Sequence, residues 1–271
     1  MVNAGVPGYG NSQELLLLRR LAAVGIVGKI YILNLFTNDI TDNLRLNPAD
    51  LSVNLVQPGA VLDADGHISF EHKPANTLRK GSNLVAGRPH AGPKLLAVVK
   101  ANLESLGQTR PALAEWARWF GFEASFQRMP GVINGWYNDD VLGKGVPLMK
   151  ALLWEMNAAV KGLHAHLLVS LIPSPLQVYT GTYNPILRAT FPDSPQVRRF
   201  LDDPTRPQRI IREMCAELGI PFLDMYDVVT KTAGRSLYIP GDGHFNEAGH
   251  AVFATSLAGF VKAHTVADDP S

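Results

Sequence analysis

The stretch Val146–Ile172, VPLMKALLWEMNAAVKGLHAHLLVSLI, decides the fold class. Its first part, Val146–Gly162, places Leu148, Leu152, Met156 and Ala159 at helical spacing and stops at a glycine, which predicts a helix with one apolar stripe. Its last part, His166–Ile172, is a short aliphatic run closed by Pro173. Such a run fits a strand whose two faces are both covered, as in parallel sheets. A striped helix and a mostly aliphatic strand each need a packing partner, and joined in tandem they form half of a βαβ unit.

The same alternation recurs on both sides. Toward the N-terminus, Ser12–Ala23 reads as a helix, with Ser12 as its cap and Glu14 in its first turn. Lys29–Phe36 (KIYILNLF) reads as a buried parallel strand. Toward the C-terminus, Pro207–Leu218 reads as a helix with Ile210, Ile211, Met214 and Leu218 inward, and Pro221–Asp224 as a short strand. Asn246–His264 reads as a closing helix with Phe253, Leu257, Phe260 and Val261 on one face. The expected fold is α/β, a parallel sheet sandwiched by helices, with ligands bound at the carboxyl ends of the strands.

Asn47–Asp140 breaks the alternation. It predicts a hairpin over Val61–Phe70 turning at Asp65-Gly66, then helical pieces near Pro93–Leu106 and Pro111–Phe120. Three of the four tryptophans, Trp116, Trp119 and Trp136, fall here. The chain thus divides into an α/β domain over 1–46 and 141–271 and an inserted, cap-like region over 47–140. The insertion either overhangs the strand ends or packs beside them as scaffold. Pro173–Pro195 reads as a loop bordering the site.

With 271 residues, 46% of them hydrophobic, the chain can bury one sizeable core. Lysine plus arginine (25) balances aspartate plus glutamate (24), and no basic run marks a nucleic-acid or membrane surface. Cys215 is the only cysteine, so there is no disulfide framework and no cysteine-based metal site. Its place in the helical pattern marks it as a small buried residue. No segment approaches the roughly 18 apolar residues of a membrane span. Met1–Gly5 is not a signal peptide. Compartment, cytoplasmic by default, and oligomeric state are not legible.

Chemistry concentrates in Gly241-Asp242-Gly243-His244-Phe245-Asn246-Glu247-Ala248-Gly249-His250. A carboxylate two residues before a histidine, with glycine between, can orient the imidazole and leave its other nitrogen to take a proton. Asn246 can cap the succeeding helix. The bland alternative is a surface turn that happens to hold both residues. His244 and His250 are six apart, which does not match the i,i+4 pair of a helical zinc site. Asn38, after the Lys29–Phe36 strand, offers a side-chain amide to an oxyanion, although Asn and Asp are also common turn formers there. Gly8, within Ala4-Gly5-Val6-Pro7-Gly8-Tyr9-Gly10, could offer a backbone N–H.

In that order the blocks resemble the SGNH (GDSL-like) hydrolase family. Val2–Gly10 is similar to its oxyanion-glycine block, Leu35-Phe36-Thr37-Asn38-Asp39 to its oxyanion-asparagine block, and Asp242–His250 to its Asp/His block. One residue rather than two separates Asp242 from His244, a variant similar to that of carbohydrate O-acetyl-modifying members. The resemblance spans roughly 1–45 and 145–265 and implies a flavodoxin-like sheet and a serine ester hydrolase. Gly8 and Asn38 would bind the oxyanion, His244 would act as base and then acid, and Asp242 would orient it. It implies no cofactor and no metal, and a small-molecule or glycan acyl ester as substrate. The family's Gly-Asp-Ser block should precede Gly8 by a few dozen residues. No part of residues 1–271 reads Gly-Asp-Ser, so the expected nucleophile and first strand lie before Met1. Without that strand, those near Val2 and at Lys29–Phe36 would lack their shared partner. Ser174 lies at the right end of the sheet but is a poor substitute. The alternatives are a non-catalytic, glycan- or partner-binding domain of the same fold and, with least support, a metal-dependent phosphoesterase.

Overall fold

In the computed structural model, residues 1–6, 9–44, 59–71, 130–232, 234, 236–239 and 243–265 are described. The helix predicted at Ser12–Ala23 is α1 (Asn11–Ala23), and the strand at Lys29–Phe36 is β1 (Ile30–Phe36). A short α2 (Asp39–Asn43) comes directly after it. The hairpin forms from β2 (Gly59–Leu62) and β3 (Ile68–Glu71), antiparallel, with Gly66 at φ +85° in its turn. Only glycine takes that φ without strain. Then come α3 (Gly131–Trp136), the long α4 (Asp139–Gly162) and β4 (His166–Ile172), the last on its predicted bounds. After β4 lie α5 (Pro175–Val178), α6 (Thr180–Thr190), α7 (Pro195–Asp202), α8 (Arg206–Leu218), β5 (Phe222–Asp224), α9 (Tyr226–Thr232) and α10 (Glu247–Thr265).

The main sheet has the order β1-β4-β5 and is parallel throughout, so the chain is α/β with helices flanking a parallel sheet. Ile30 pairs with His166 and Phe36 with Ile172, which puts Thr37-Asn38 beside Pro173-Ser174 at the carboxyl ends. Strand side chains alternate between faces. Leu33, Leu35, Leu167, Val169 and Leu171 therefore join one core with α1, α3, α4 and α8. Ile172 and Leu223 belong to a second, smaller core around Met225, Val229, Tyr238 and Phe245, reached by α9 and α10. Cys215 is fully buried in the first core, and burial pushes its thiol up to about 12, so it packs as an apolar side chain.

The central notch of the first core is built around Ile40, which has no solvent exposure. A Cβ on Gly135 would come within 2.6 Å of its Cγ2, and one on Gly145 within 2.5 Å of its Cγ1. The two glycines let α3 and α4 close on α2. Trp136, also fully buried, donates its indole N–H to the Thr37 carbonyl at 2.6 Å and so pins the end of β1.

Several expectations are corrected. Ser12 does not cap α1. Gly10 precedes the helix, and the Gln13 side chain accepts its N–H at 2.9 Å, while Ser12 is buried inside the first turn. The helix predicted from Val146 begins at Asp139 and runs through Pro147. Proline removes one backbone donor, which hid the first two turns, but Leu148, Met149, Leu152 and Leu153 bury enough apolar surface to carry the helix past it. Pro173–Pro195 is not a loop: it holds α5, started by Pro175, and α6, whose Tyr183 and Leu187 are buried. No strand forms over residues 1–6. β1 reads as a buried strand, yet Ile32 is 41% exposed and Asn34 is exposed, because β1 has β4 as its single neighbour among the described residues. The hairpin packs on α1 and α4. Pro93–Leu106, Pro111–Phe120, Trp116 and Trp119 lie outside the described residues.

Candidate active site

Three strand ends define the site. β1 runs into Thr37-Asn38-Asp39, β4 into Pro173-Ser174, and β5 ends at Asp224, whose backbone neighbour Met225 donates to the Leu171 carbonyl at 3.1 Å. Asn38 leads into α2 and is partly exposed. Its amide N–H is donated to Asp42 Oδ2 at 2.7 Å. Asp39 turns inward instead, accepting the Phe36 N–H at 2.9 Å, so the strand closes on its own helix start.

His244 reaches the same end of the sheet through its loop. Tyr238 and Phe245 form an antiparallel bridge, and the Ile239 N–H is donated to the His244 carbonyl at 2.8 Å. The Tyr238 hydroxyl donates to the Pro173 carbonyl at 2.7 Å, tying this turn to the end of β4. Tyr179 accepts the Leu237 N–H at 2.8 Å and packs edge-on to Tyr238. Gly243 stands at φ +83°, a left-handed bend that glycine takes without strain and that presents His244 outward. Asn246 caps α10 as expected, accepting the Gly249 N–H at 3.0 Å and donating to the Ser236 carbonyl at 2.8 Å.

Asn38 and the His244 turn therefore both flank the end of β4. Asp242 and Gly8 lie outside the described residues. The start of α1, three residues past Gly8, is fixed on the Asn38 side: Asn11 and Asn43 exchange hydrogen bonds, backbone N–H to Oδ1 and amide to Oδ1, each at 2.8 Å. Both asparagines are buried. No local signal betrays this clamp, because its partners are 32 residues apart. Ser174 is only 5% exposed at the start of α5, which leaves its hydroxyl out of reach of a substrate. His250 is exposed on α10, edge-on to Phe245.

Beneath Asn38 lies an acidic cluster. Burial holds the Asp39 carboxyl well above its ordinary range despite the Phe36 N–H, and Glu14 and Asp42 push it further. Burial also raises Glu14, against the hydrogen bond from the Asn11 amide. A raised native value means the folded state binds the Asp39 proton more tightly than the unfolded chain does. That stability is fully present below the unfolded value of about 4 and is lost as pH rises through the native value. Asp39→Asn keeps an acceptor for Phe36 and removes the charge. Its stability relative to the unsubstituted chain should therefore rise with pH above about 4, as read by urea unfolding at a series of pH values. A difference that stays flat with pH would show that Asp39 titrates normally.

Two other groupings lead elsewhere. A cavity of about 220 Å³ lies between the starts of α4 and α7, lined by Tyr137, Asn138, Asp139, Gln196 and Arg199. Neither Asn38 nor His244 lines it, and Arg199 is committed to Asp139 at 2.7 Å. Asp63, Asp65 and His67 share the exposed hairpin turn, where Asp63 Oδ1 accepts the N–H groups of Asp65 and His67 at 2.9 and 2.8 Å. That is turn chemistry.

No protein-family model, no curated protein and no solved structure matches the chain.

Proposed function

We propose that this chain carries most of the catalytic apparatus of an SGNH-type serine ester hydrolase acting on a carboxylic or O-acyl ester. The observation that supports this reading most directly is the convergence of Asn38 and the His244 turn on the end of β4. An ester hydrolase needs a donor for the tetrahedral oxyanion and a base that later protonates the leaving alcohol. The Asn38 amide suits the first role and the outward imidazole of His244 the second, with Asp242 as its orienting carboxylate and Gly8 as a second, backbone donor. Crevices beyond strand carboxyl ends are where α/β sheets bind their ligands.

The reaction also needs a nucleophile, and Ser174 is buried. The test therefore expresses the chain with its in-frame upstream codons and measures hydrolysis of a chromogenic acetyl ester. Turnover that depends on a serine in a Gly-Asp-Ser block of the added segment supports the reading. An extended chain with no such serine and no turnover overturns it in favour of a non-catalytic binding domain.

A further inference from the structure

We propose that Asp42 is the positioning residue for Asn38, an inference that rests on the ester-hydrolase reading for its functional consequence. A primary amide has two nearly isosteric ends, a carbonyl oxygen that accepts and a nitrogen that donates two hydrogens. Left to itself, Asn38 could turn either end toward a ligand, and an inward oxygen would repel an oxyanion. Asp42 lies four residues on, on the same face of α2, and its carboxylate Oδ2 accepts from Asn38. The 2.7 Å contact from Asn38 Nδ2 to Asp42 Oδ2 therefore fixes the nitrogen end on the Asp42 side. The second N–H of that nitrogen has no partner among the described residues and is left for a ligand oxygen.

The backbone beneath this pair is independently fixed. Thr41 donates its hydroxyl to the Asn38 carbonyl at 2.7 Å, the Thr41 and Asp42 N–H groups reach the same carbonyl, and Trp136 holds Thr37. Asn43, the next residue after Asp42, is locked to Asn11. With the backbone held at both ends, the remaining freedom of Asn38 is its side-chain rotation, and that is the freedom the Asp42 contact removes. An oxyanion donor acts by being in place before charge develops, so its orientation is worth more than its mere presence. The arrangement has a cost: a carboxylate behind the donor disfavours negative charge nearby.

Two variants test this. Asp42→Glu keeps a carboxylate acceptor within reach, whereas Asp42→Ser is too short to reach Asn38. In the chain itself, the side-chain amide protons of Asn38 should be well separated and slow to exchange by ¹⁵N NMR. They should stay so in Asp42→Glu and collapse toward free-amide behaviour in Asp42→Ser. In the upstream-extended enzyme, Asp42→Ser should lower kcat on the order of 10-fold with KM nearly unchanged, and Asp42→Glu should restore it. If Asp42→Ser leaves both the amide signals and kcat as they were, Asp42 positions nothing. The same result with His244→Ala still inactive sinks the inference alone, while a fully active His244→Ala sinks the hydrolase reading itself. Asp42→Glu losing as much rate as Asp42→Ser would also overturn the proposal, because an acceptor within reach of Asn38 would then make no difference.

Discussion

His244→Ala in the upstream-extended enzyme should cut the rate of ester cleavage by about 10³-fold. The expectation rests on what the imidazole would do twice in each cycle. It would take the proton from a serine hydroxyl as the acyl bond forms, then return a proton to the departing alcohol. Alanine removes both transfers and leaves only the oxyanion donors and substrate binding, which alone sustain a small residual rate. The loss should sit in kcat, because the imidazole interacts with the proton in flight and little with the bound ester. Folding should hardly notice the change. The His244 side chain is exposed, and the turn it rides on is held by backbone and neighbours: the Tyr238–Phe245 bridge, the Tyr238 hydroxyl on Pro173 and the Asn246 cap. Steady-state hydrolysis beside a thermal melt separates the two effects. An unchanged melt with near-normal kcat would remove His244 from the mechanism and with it the case for an ester hydrolase.

The parts of this fold legible in the sequence are those where one physical demand dominates. His166–Ile172 is buried along most of its length, so a mostly aliphatic run, with Ser170 as its one polar member after His166, marks it to the residue. The Asp65-Gly66 turn is legible because Gly66 needs a positive φ, and Asn246 because a helix start needs an acceptor for its orphan N–H groups. Illegible parts depend on contacts across long separations. Nothing near Asn11 points to Asn43, and nothing near Trp136 points to Thr37. Pro147 reads as part of a helix's first turn and Pro185 as part of a loop, yet both lie well inside helices that tertiary packing sustains. At the candidate site, Asn38 and His244 are singled out in the sequence by residue type and by their places, after β1 and before α10. The orientation of the Asn38 amide is not, because a hydrogen bond to Asp42 decides it and sequence spacing admits that pair without requiring it. The hydroxyl tie from Tyr238 to Pro173, 65 residues apart, is equally invisible.

Gly249→Ala and Gly259→Ala place the same methyl group on the same helix, and they should move stability in opposite directions. At 249 an added Cβ would lie 2.1 Å from the Leu237 carbonyl oxygen and 2.7 and 2.9 Å from Phe245 Cδ1 and Cβ. Neither neighbour can give way locally. The Leu237 carbonyl already accepts the Asn246 N–H at 3.0 Å, and Phe245 is packed against Tyr238 and Phe253 in the second core. Relief therefore requires α10 to back away from the Leu237–Tyr238 segment, opening that core and stretching the Asn246 cap at once. Overpacking of this kind costs about 3 kcal/mol, at the upper end of its usual span because backbone is struck rather than a flexible side chain. At 259 nothing lies within 4 Å of the added Cβ, and the position is exposed in mid-helix. There alanine removes only the excess backbone freedom of glycine and should stabilise by about 0.5–1 kcal/mol. Urea unfolding of both variants reads the pair directly. The displacement at 249 also reaches function, because the helix that moves starts three residues after His244. The upstream-extended Gly249→Ala enzyme should lose kcat even at temperatures where it remains folded, whereas Gly259→Ala should not. Equal behaviour of the two variants in unfolding would mean that α10 does not seat against Leu237, and that the His244 turn is held by Tyr238 alone.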